Sequence, residues 1–403
     1  MTDARPLRVL LVANDGFSAG HVVRTLAIAR GLARQAMRRG IALRPVLATT
    51  SEAHGLLAGE PLAIVRLPGP AAARRAGLSD VERRRLVRAT LEGVAGGLGP
   101  DLVVVDTFPS GPHGELAGLA GLDRLDRLAP GARRAVIRRA IPEASQRHAA
   151  LTAGLDDCDL AVLAGDPTPQ PVALSIPTRH VPPILLDDAG ERLDRAAARA
   201  ALGLSGERAI LVAAGGGGDR EAAARAVAIA RAIVVAAPDA TPVLALGPLA
   251  PEPAPDAGPA IRTIRIAPLS PLLAAFDGAF APAGYNTAHE LARARVPAAL
   301  FARPRPFDDQ AGRAARFAAA GFARVLASVP EAEQARPAPE AHQAQGAPEP
   351  TSAIAAALAW MQSAQLPELA GGGADRAAEA LLDLATGRVT DEAAGPARGA
   401  SAR

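Results

Sequence analysis

Residues 206–237 read GERAILVAAGGGGDREAAARAVAIARAIVVAA, and this stretch decides the fold class. Its first nine residues, 206–214, read as a strand, with an unbroken aliphatic run over 209–214 as in a strand buried on both faces. Four glycines follow at 215–218. Residues 219–236 then carry apolar side chains at helical spacing. Strand, glycine turn and helix in that order make a βα unit, the building block of parallel sheets. The same order recurs on both sides. Towards the C-terminus, strands are expected near 242–246, 261–267, 278–284 and 296–303, with helices at 270–276, 286–295 and 308–320. Towards the N-terminus, Arg8 to Asn14 reads as a strand, 15–21 as a turn and 22–39 as a helix. Further strands fall near 43–49, 62–67, 101–108 and 159–166, with a helix at 79–96.

Two such arrays imply two domains, which suits a chain of 403 residues. The expected division is an N-terminal Rossmann-like domain over 1–175 and a second over 184–328, joined by the Pro-rich stretch 167–183. Residues 329–351 mix Pro, Ala, Glu and Gln and read as a disordered insertion. Helices are expected near 352–364 and 374–386, in a segment over 352–388. The tail, 389–403, reads as mobile.

Composition removes several functions. Hydrophobic residues make up 49% but aromatics only 2%, so the cores must be aliphatic. There is no Lys, and net charge is only +3. The pI of about 10.1 therefore reflects Arg, which does not titrate near neutrality, and not a strong positive field. No basic tract interleaved with aromatics speaks for nucleic acid. Cys158 is the only cysteine, which excludes an internal disulfide and a cysteine zinc cluster. No run resembles a secretion signal or a membrane span. A cytoplasmic protein is expected, with peripheral membrane contact left open. Asn occurs only at Asn14 and Asn286, and Tyr only at Tyr285. Rare residues retained in so biased a composition draw the eye.

The turns between strand and helix hold the candidate chemistry. Gly215, Gly216, Gly217 and Gly218 let backbone N–H groups approach a ligand, and the following helix N-terminus favours a diphosphate. A tight structural turn has the same composition, so the run alone leaves both readings open. It is not a P-loop, because no Lys-Ser/Thr pair follows. In GYNTAHE, 284–290, Gly284 ends a strand and Asn286 or Thr287 can cap the next helix. Glu290 is expected on its first turn, where a carboxylate can bind a ribose diol or simply favour the helix dipole. His289 points to another face and reads as structural. In PRPFDDQ, 304–310, Asp308, Asp309 and Gln310 can bond sugar hydroxyls or start a helix. Two adjacent acids without a third ligand are no metal site.

In the N-terminal half, FSAGHVVR at 17–24 puts Gly20 and His21 at a strand–helix turn. His suits proton transfer near neutral pH, though a lone turn His also serves structure. Asp15 and Asp106 end strands that can be neighbours, where parallel sheets gather ligands. Ser18 lacks the spacing of a hydrolase nucleophile.

Together, DGFSAGHVVRTLAIARGL, DLVVVDTFPSGPHGEL at 101–116, GYNTAHE and RPRPFDDQAGRAARFAAAGFARVL resemble a group of predicted bacterial glycosyltransferases. That group is related to the N-acetylglucosaminyltransferase acting on the lipid-linked peptidoglycan precursor. Ser18 stands where the group has Gly, and Thr107 where Lys is expected. The resemblance spans most of 8–326. It implies the GT-B fold, two Rossmann-like domains facing a central cleft, with C-terminal helices crossing back. It further implies a nucleotide-sugar donor as substrate, no cofactor, no metal, and an acceptor it does not name. Glu290 would hold the donor ribose, Gly215–Gly218 and 284–287 the diphosphate, Gln310 and Asp309 the sugar, and Ala267 with its neighbours the base. His21 would sit across the cleft near the acceptor or the diphosphate, and is the candidate base for the acceptor, with Asp106 behind it. A nucleotide-sugar hydrolase and a non-catalytic nucleotide-sugar binder are the rivals.

Overall fold

The computed structural model describes residues 5–15, 19–111, 114, 129, 131–167, 174–186, 191–250, 252–305, 307–326, 329 and 350–388. Almost all of the stretch 329–351 expected to be disordered, and the tail after 388, lie outside these residues.

The described strands form two parallel sheets. The first contains β1 (Leu7–Ala13), β2 (Leu43–Thr49), β3 (Ala63–Arg66), β4 (Leu102–Asp106), β5 (Arg133–Arg138), β6 (Leu160–Ala164) and β7 (Thr178–Val181), in the order 3-2-1-4-5-6-7. The second contains β8 (Arg208–Ala213), β9 (Ala240–Ala245), β10 (Arg262–Ile264), β11 (Gly278–Pro282), β12 (Ala298–Phe301) and β13 (Ala323–Val325), in the order 10-9-8-11-12-13. Each has the strand order of a doubly wound nucleotide-binding sheet. β1 sits beside β2 and β4, with Leu10 opposite Val46 and Val103. The Pro-rich stretch expected to link the domains instead supplies β7, which pairs with β6, so the first sheet runs past residue 175 to Val181.

The described helices are α1 (Gly20–Arg38), α2 (Pro70–Arg75), α3 (Asp80–Leu98), α4 (Ala149–Thr152), α5 (Arg195–Ala201), α6 (Arg220–Ala236), α7 (Tyr285–Arg293), α8 (Gln310–Ala319), α9 (Pro350–Ser363) and α10 (Gly373–Thr386). The helix expected near 270–276 is a 3₁₀ helix, Ser270–Ala275. α3 shows how directly local sequence sets an element. Ser79 and Glu82 close its start with a capping box, and Gly99 ends it at φ 55°.

Apolar, mostly aliphatic side chains cover both faces of each sheet. In the first, Val9, Leu11, Leu26, Leu32 and Leu381 pack on one side, and Leu10, Val12, Val87 and Leu91 on the other. In the second, Leu211, Leu273, Leu291 and Phe317 fill one side, and Ile210, Val212, Ile229 and Phe280 the other. α9 packs on α6 of the second domain, while α10 crosses back onto α1 and the first sheet. Only the last helix makes the return expected of the C-terminal pair.

Candidate active site

The C-terminal ends of both sheets face a cleft of about 430 Å³ lined by both domains. In open α/β sheets, ligands bind at these strand ends.

On the N-terminal wall, α1 begins beside the end of β4. His21 Nδ1 lies 2.7 Å from Asp106 Oδ2. Arg24, one turn further along α1, grips both oxygens of the same carboxylate at 2.7 Å through Nη2. Asp106 is buried, and burial alone would raise its carboxyl. Arg24 and His21 outweigh that and hold it below its ordinary value. An ionised Asp106 accepts a hydrogen bond from Nδ1–H and leaves His21 Nε2 as an acceptor. Thr107, directly after it, has φ 67°, an outlier for a β-branched residue. Arg24 Nη2 donates to its hydroxyl at 3.0 Å, and its N–H donates to Ile137 O at 2.8 Å. Beyond it, Phe108 lies against His21, with ring centroids 5.8 Å apart.

Asp15 does not face the cleft. It is 3% exposed and accepts from the N–H groups of His21 and Val22, both at 2.9 Å. The start of α1 is thereby closed by a carboxylate. Burial pushes that carboxyl up to about 6, against the opposing pull of His21 and the two N–H groups.

On the C-terminal wall, Gly215, Gly216 and Gly217 line the cleft, whereas Gly218 packs on Leu249. Gly215 has φ 85°. A Cβ on Gly247 would collide with the Gly215 carbonyl, so two glycine backbones meet here. Asp219 caps α6 through the N–H groups of Glu221 and Ala222. α7 differs. It starts at Tyr285 with Gly284 as N-cap, and neither Asn286 nor Thr287 caps it as expected; among the described residues no side chain is recorded capping it. Glu290 therefore lies on the second turn, not the first, and still lines the cleft together with Gly284, Asn286 and Thr287. Asn286 Nδ2 reaches the Gly20 carbonyl at 3.4 Å, bringing the open start of α7 against the start of α1.

Ala267 lines the cleft between Ile266 and Pro268. Gln310 and Asp308 line it too, but Asp309 does not. Asp309 caps α8 through Gly312 N and pairs with Arg316 at 3.0 Å. Gln310 accepts from Arg303 N at 3.0 Å and donates to Asp308 at 2.9 Å. Asp308 in turn pairs with Arg139 at 2.7 Å and Arg313 at 2.8 Å. The two adjacent acids thus point to different partners. His289 is structural, as expected: it is fully buried, with Nδ1 2.6 Å from Tyr285 O and Nε2 3.1 Å from Asp166 Oδ1.

Some cleft residues escape sequence reasoning. Arg139, Phe108, Phe307, Arg303 and Arg305 all line the site. The Arg-Pro-Arg-Pro run was a usable signal for the last two, since a residue before Pro is held extended.

No family model matches the chain, and no curated protein does. Solved structures do. The calicheamicin glycosyltransferase CalG4 is 19% identical, with a TM-score of 0.54 over 96% of this chain and 99% of that one. The spinosyn forosaminyltransferase SpnP is 17% identical, with 0.54 over 95% of each. The glycosyltransferase SsfS6 of Streptomyces sp. SF2575, complexed with thymidine diphosphate, is 14% identical, with 0.52 over 94% and 96%. At these identities the likeness is one of fold. This chain has the GT-B fold.

Proposed function

We propose that the chain is a glycosyltransferase that moves a sugar from a nucleotide-sugar donor to an acceptor hydroxyl with inversion. One observation carries this reading: His21, held by Asp106 in one domain, lines the same cleft as the start of α7 in the other, whose N-cap is a glycine. The starts of α1, α6 and α8 are closed by Asp15, Asp219 and Asp309. The α7 start keeps its N–H groups for an anion, and the helix dipole adds to them.

In this reading the donor lies along the C-terminal wall. Glu290 takes the ribose hydroxyls, and Ala267 and its neighbours frame the base. The Gly215–Gly217 backbone and the start of α7 take the diphosphate. Gln310 reaches the sugar. The acceptor hydroxyl approaches from the N-terminal wall. His21 Nε2 takes its proton as the oxygen attacks the anomeric carbon opposite the departing diphosphate. The bond from that carbon to the diphosphate oxygen breaks, and the charge left on this oxygen falls on oriented N–H groups. Asp106 keeps His21 in the required tautomer and offsets the charge it gains. The motif resemblance to glycosyltransferases related to the peptidoglycan-precursor enzyme supports the same reading, as does the use of this fold by CalG4 and SpnP.

The test is His21→Ala, with turnover and donor affinity measured on one folded preparation. Loss of a general base should lower turnover by roughly 10²–10⁴-fold. Donor affinity should stay within a few-fold, because no contact to the donor is removed. Near-normal turnover rejects the role. Equal loss of affinity and turnover would move His21 to the diphosphate.

A further inference from the structure

The cleft holds a cationic spot that the reading above does not use. Arg303 and Arg305 are two residues apart, and each precedes a proline. An extended backbone puts such a pair on the same side. Both reach one carboxylate: Arg303 Nη2 pairs with Asp219 Oδ2, and Arg305 Nη2 lies 3.7 Å from the same oxygen. Two guanidinium groups thus share one carboxylate. The neighbouring charges are matched differently. Arg24 pairs with Asp106, while Arg139 and Arg313 pair with Asp308, and Arg313 and Arg316 with Asp166.

Position adds to charge. A Cβ on Gly215 would stand 3.8 Å from Arg303 Nη1, so this guanidinium lies beside the glycine loop. Its backbone N–H is tied to Gln310. The Arg303 side chain is only 14% exposed, whereas that of Arg305 is 34% exposed. Burial, then repulsion from Arg305, pushes the Arg303 guanidinium below its ordinary value despite Asp219. A half-buried guanidinium beside a second one is stabilised by a further anion.

We propose that Arg303 and Arg305 bind an anionic group of the donor, in competition with Asp219. This rests on the nucleotide-sugar reading. Two donor groups share that chemistry, the diphosphate and a carboxylate on the sugar. A guanidinium fork fits either, because both present paired oxygens. Asp219 then acts as the resting counter-ion that the arriving oxygens replace.

The experiment is calorimetric titration with UDP, thymidine diphosphate and GDP, each also as its hexose and hexuronate derivative. Wild type is titrated first. If it binds none of them, the nucleotide-sugar reading fails and the inference with it. If it binds, three variants decide the inference alone. Arg303→Gln and the more exposed Arg305→Gln should each weaken binding by roughly 10- to 100-fold, the value of hydrogen bonds to a charged group. Asp219→Asn keeps an oxygen for the α6 cap but removes the competing charge, so binding should tighten. A merely structural role would not produce that opposite sign. Weakening shared by diphosphates and sugar derivatives assigns the diphosphate. Weakening confined to hexuronates assigns the sugar carboxylate. Unchanged affinity in folded Arg303→Gln and Arg305→Gln, or no tightening in Asp219→Asn, overturns the proposal.

Discussion

Glu290 and Asp15 are two acids near helix starts, yet they meet opposite surroundings. Glu290 lines the cleft on the second turn of α7, within reach of a ligand. If it holds the donor ribose, Glu290→Ala should weaken donor binding by roughly 1.5–3 kcal/mol. Calorimetry checks this, and equal donor affinity for variant and wild type removes the assignment. Asp15 is buried, and its carboxyl is raised from 3.8 to about 6. A raised carboxyl contributes stability that is fully present below its unfolded value and is lost as pH rises through the folded one. Wild-type stability relative to Asp15→Asn should therefore fall by about 2 kcal/mol between pH 4 and 7. The check is denaturant unfolding of both proteins across that range. A flat difference would show that Asp15 has an ordinary carboxyl.

Among the helices, α1 and α10 show what a core poor in aromatics requires. Small residues let the two backbones approach: a Cβ on Gly31 would stand 2.6 Å from the Ala374 carbonyl oxygen. Ion pairs flank the contact, Arg34 with Asp375 and Arg39 with Asp383, each at 2.7 Å. Gly31→Ala sets two effects against each other. Helix propensity favours Ala by about 1 kcal/mol. Overpacking costs about 1–3 kcal/mol, and the obstacle here is backbone, which cannot rotate away. The variant should be less stable, by thermal melting, although Ala is the better helix former. Higher stability would mean that α10 does not press on α1 in this way.

The two domains meet through polar groups at the back of the cleft. Tyr285, the only tyrosine, is 5% exposed; its hydroxyl accepts from Ile184 N at 3.2 Å and lies 3.4 Å from Gly165 O. Its ring has Arg24 and Arg313 each 5.5 Å from the centroid. Asp166, after β6, faces three cationic or polar groups of the other domain: His289, Arg313 and Arg316. Burial acts to raise its carboxyl, but these partners overcome that and leave it well below its ordinary value. Asp166→Asn leaves Arg313, whose side chain is fully buried, with Asp308 as its remaining carboxylate. Breaking a buried pair from one side should lower unfolding free energy by about 3 kcal/mol. Urea unfolding measures this, and unchanged stability would show that the cluster does not hold the domains together.

The sequence by itself determined the alternation of strand and helix and both βα arrays. It also marked the glycine turns that open α1, α6 and α7. These follow from local matters: aliphatic runs, helical spacing and the freedom of glycine at Gly215. The candidates His21, Glu290 and Gln310 were legible because strand ends are where parallel sheets gather ligands. The tertiary structure alone decided which side chains those turns keep for a ligand. Asp309 and Gly218 look like site residues in sequence, but one caps a helix and the other packs on Leu249. Asp15 looks like a cleft acid and is a buried cap. Arg24 and Arg139 are unremarkable among so many arginines until folding sets each beside a particular carboxylate. Thr178–Val181 reads as linker because four residues carry little periodicity, and only the waiting edge of β6 makes them a strand. Periodicity is a property of neighbours in the chain. The pairing of charges across a cleft depends on distances between residues far apart in sequence, and only the folded chain sets those.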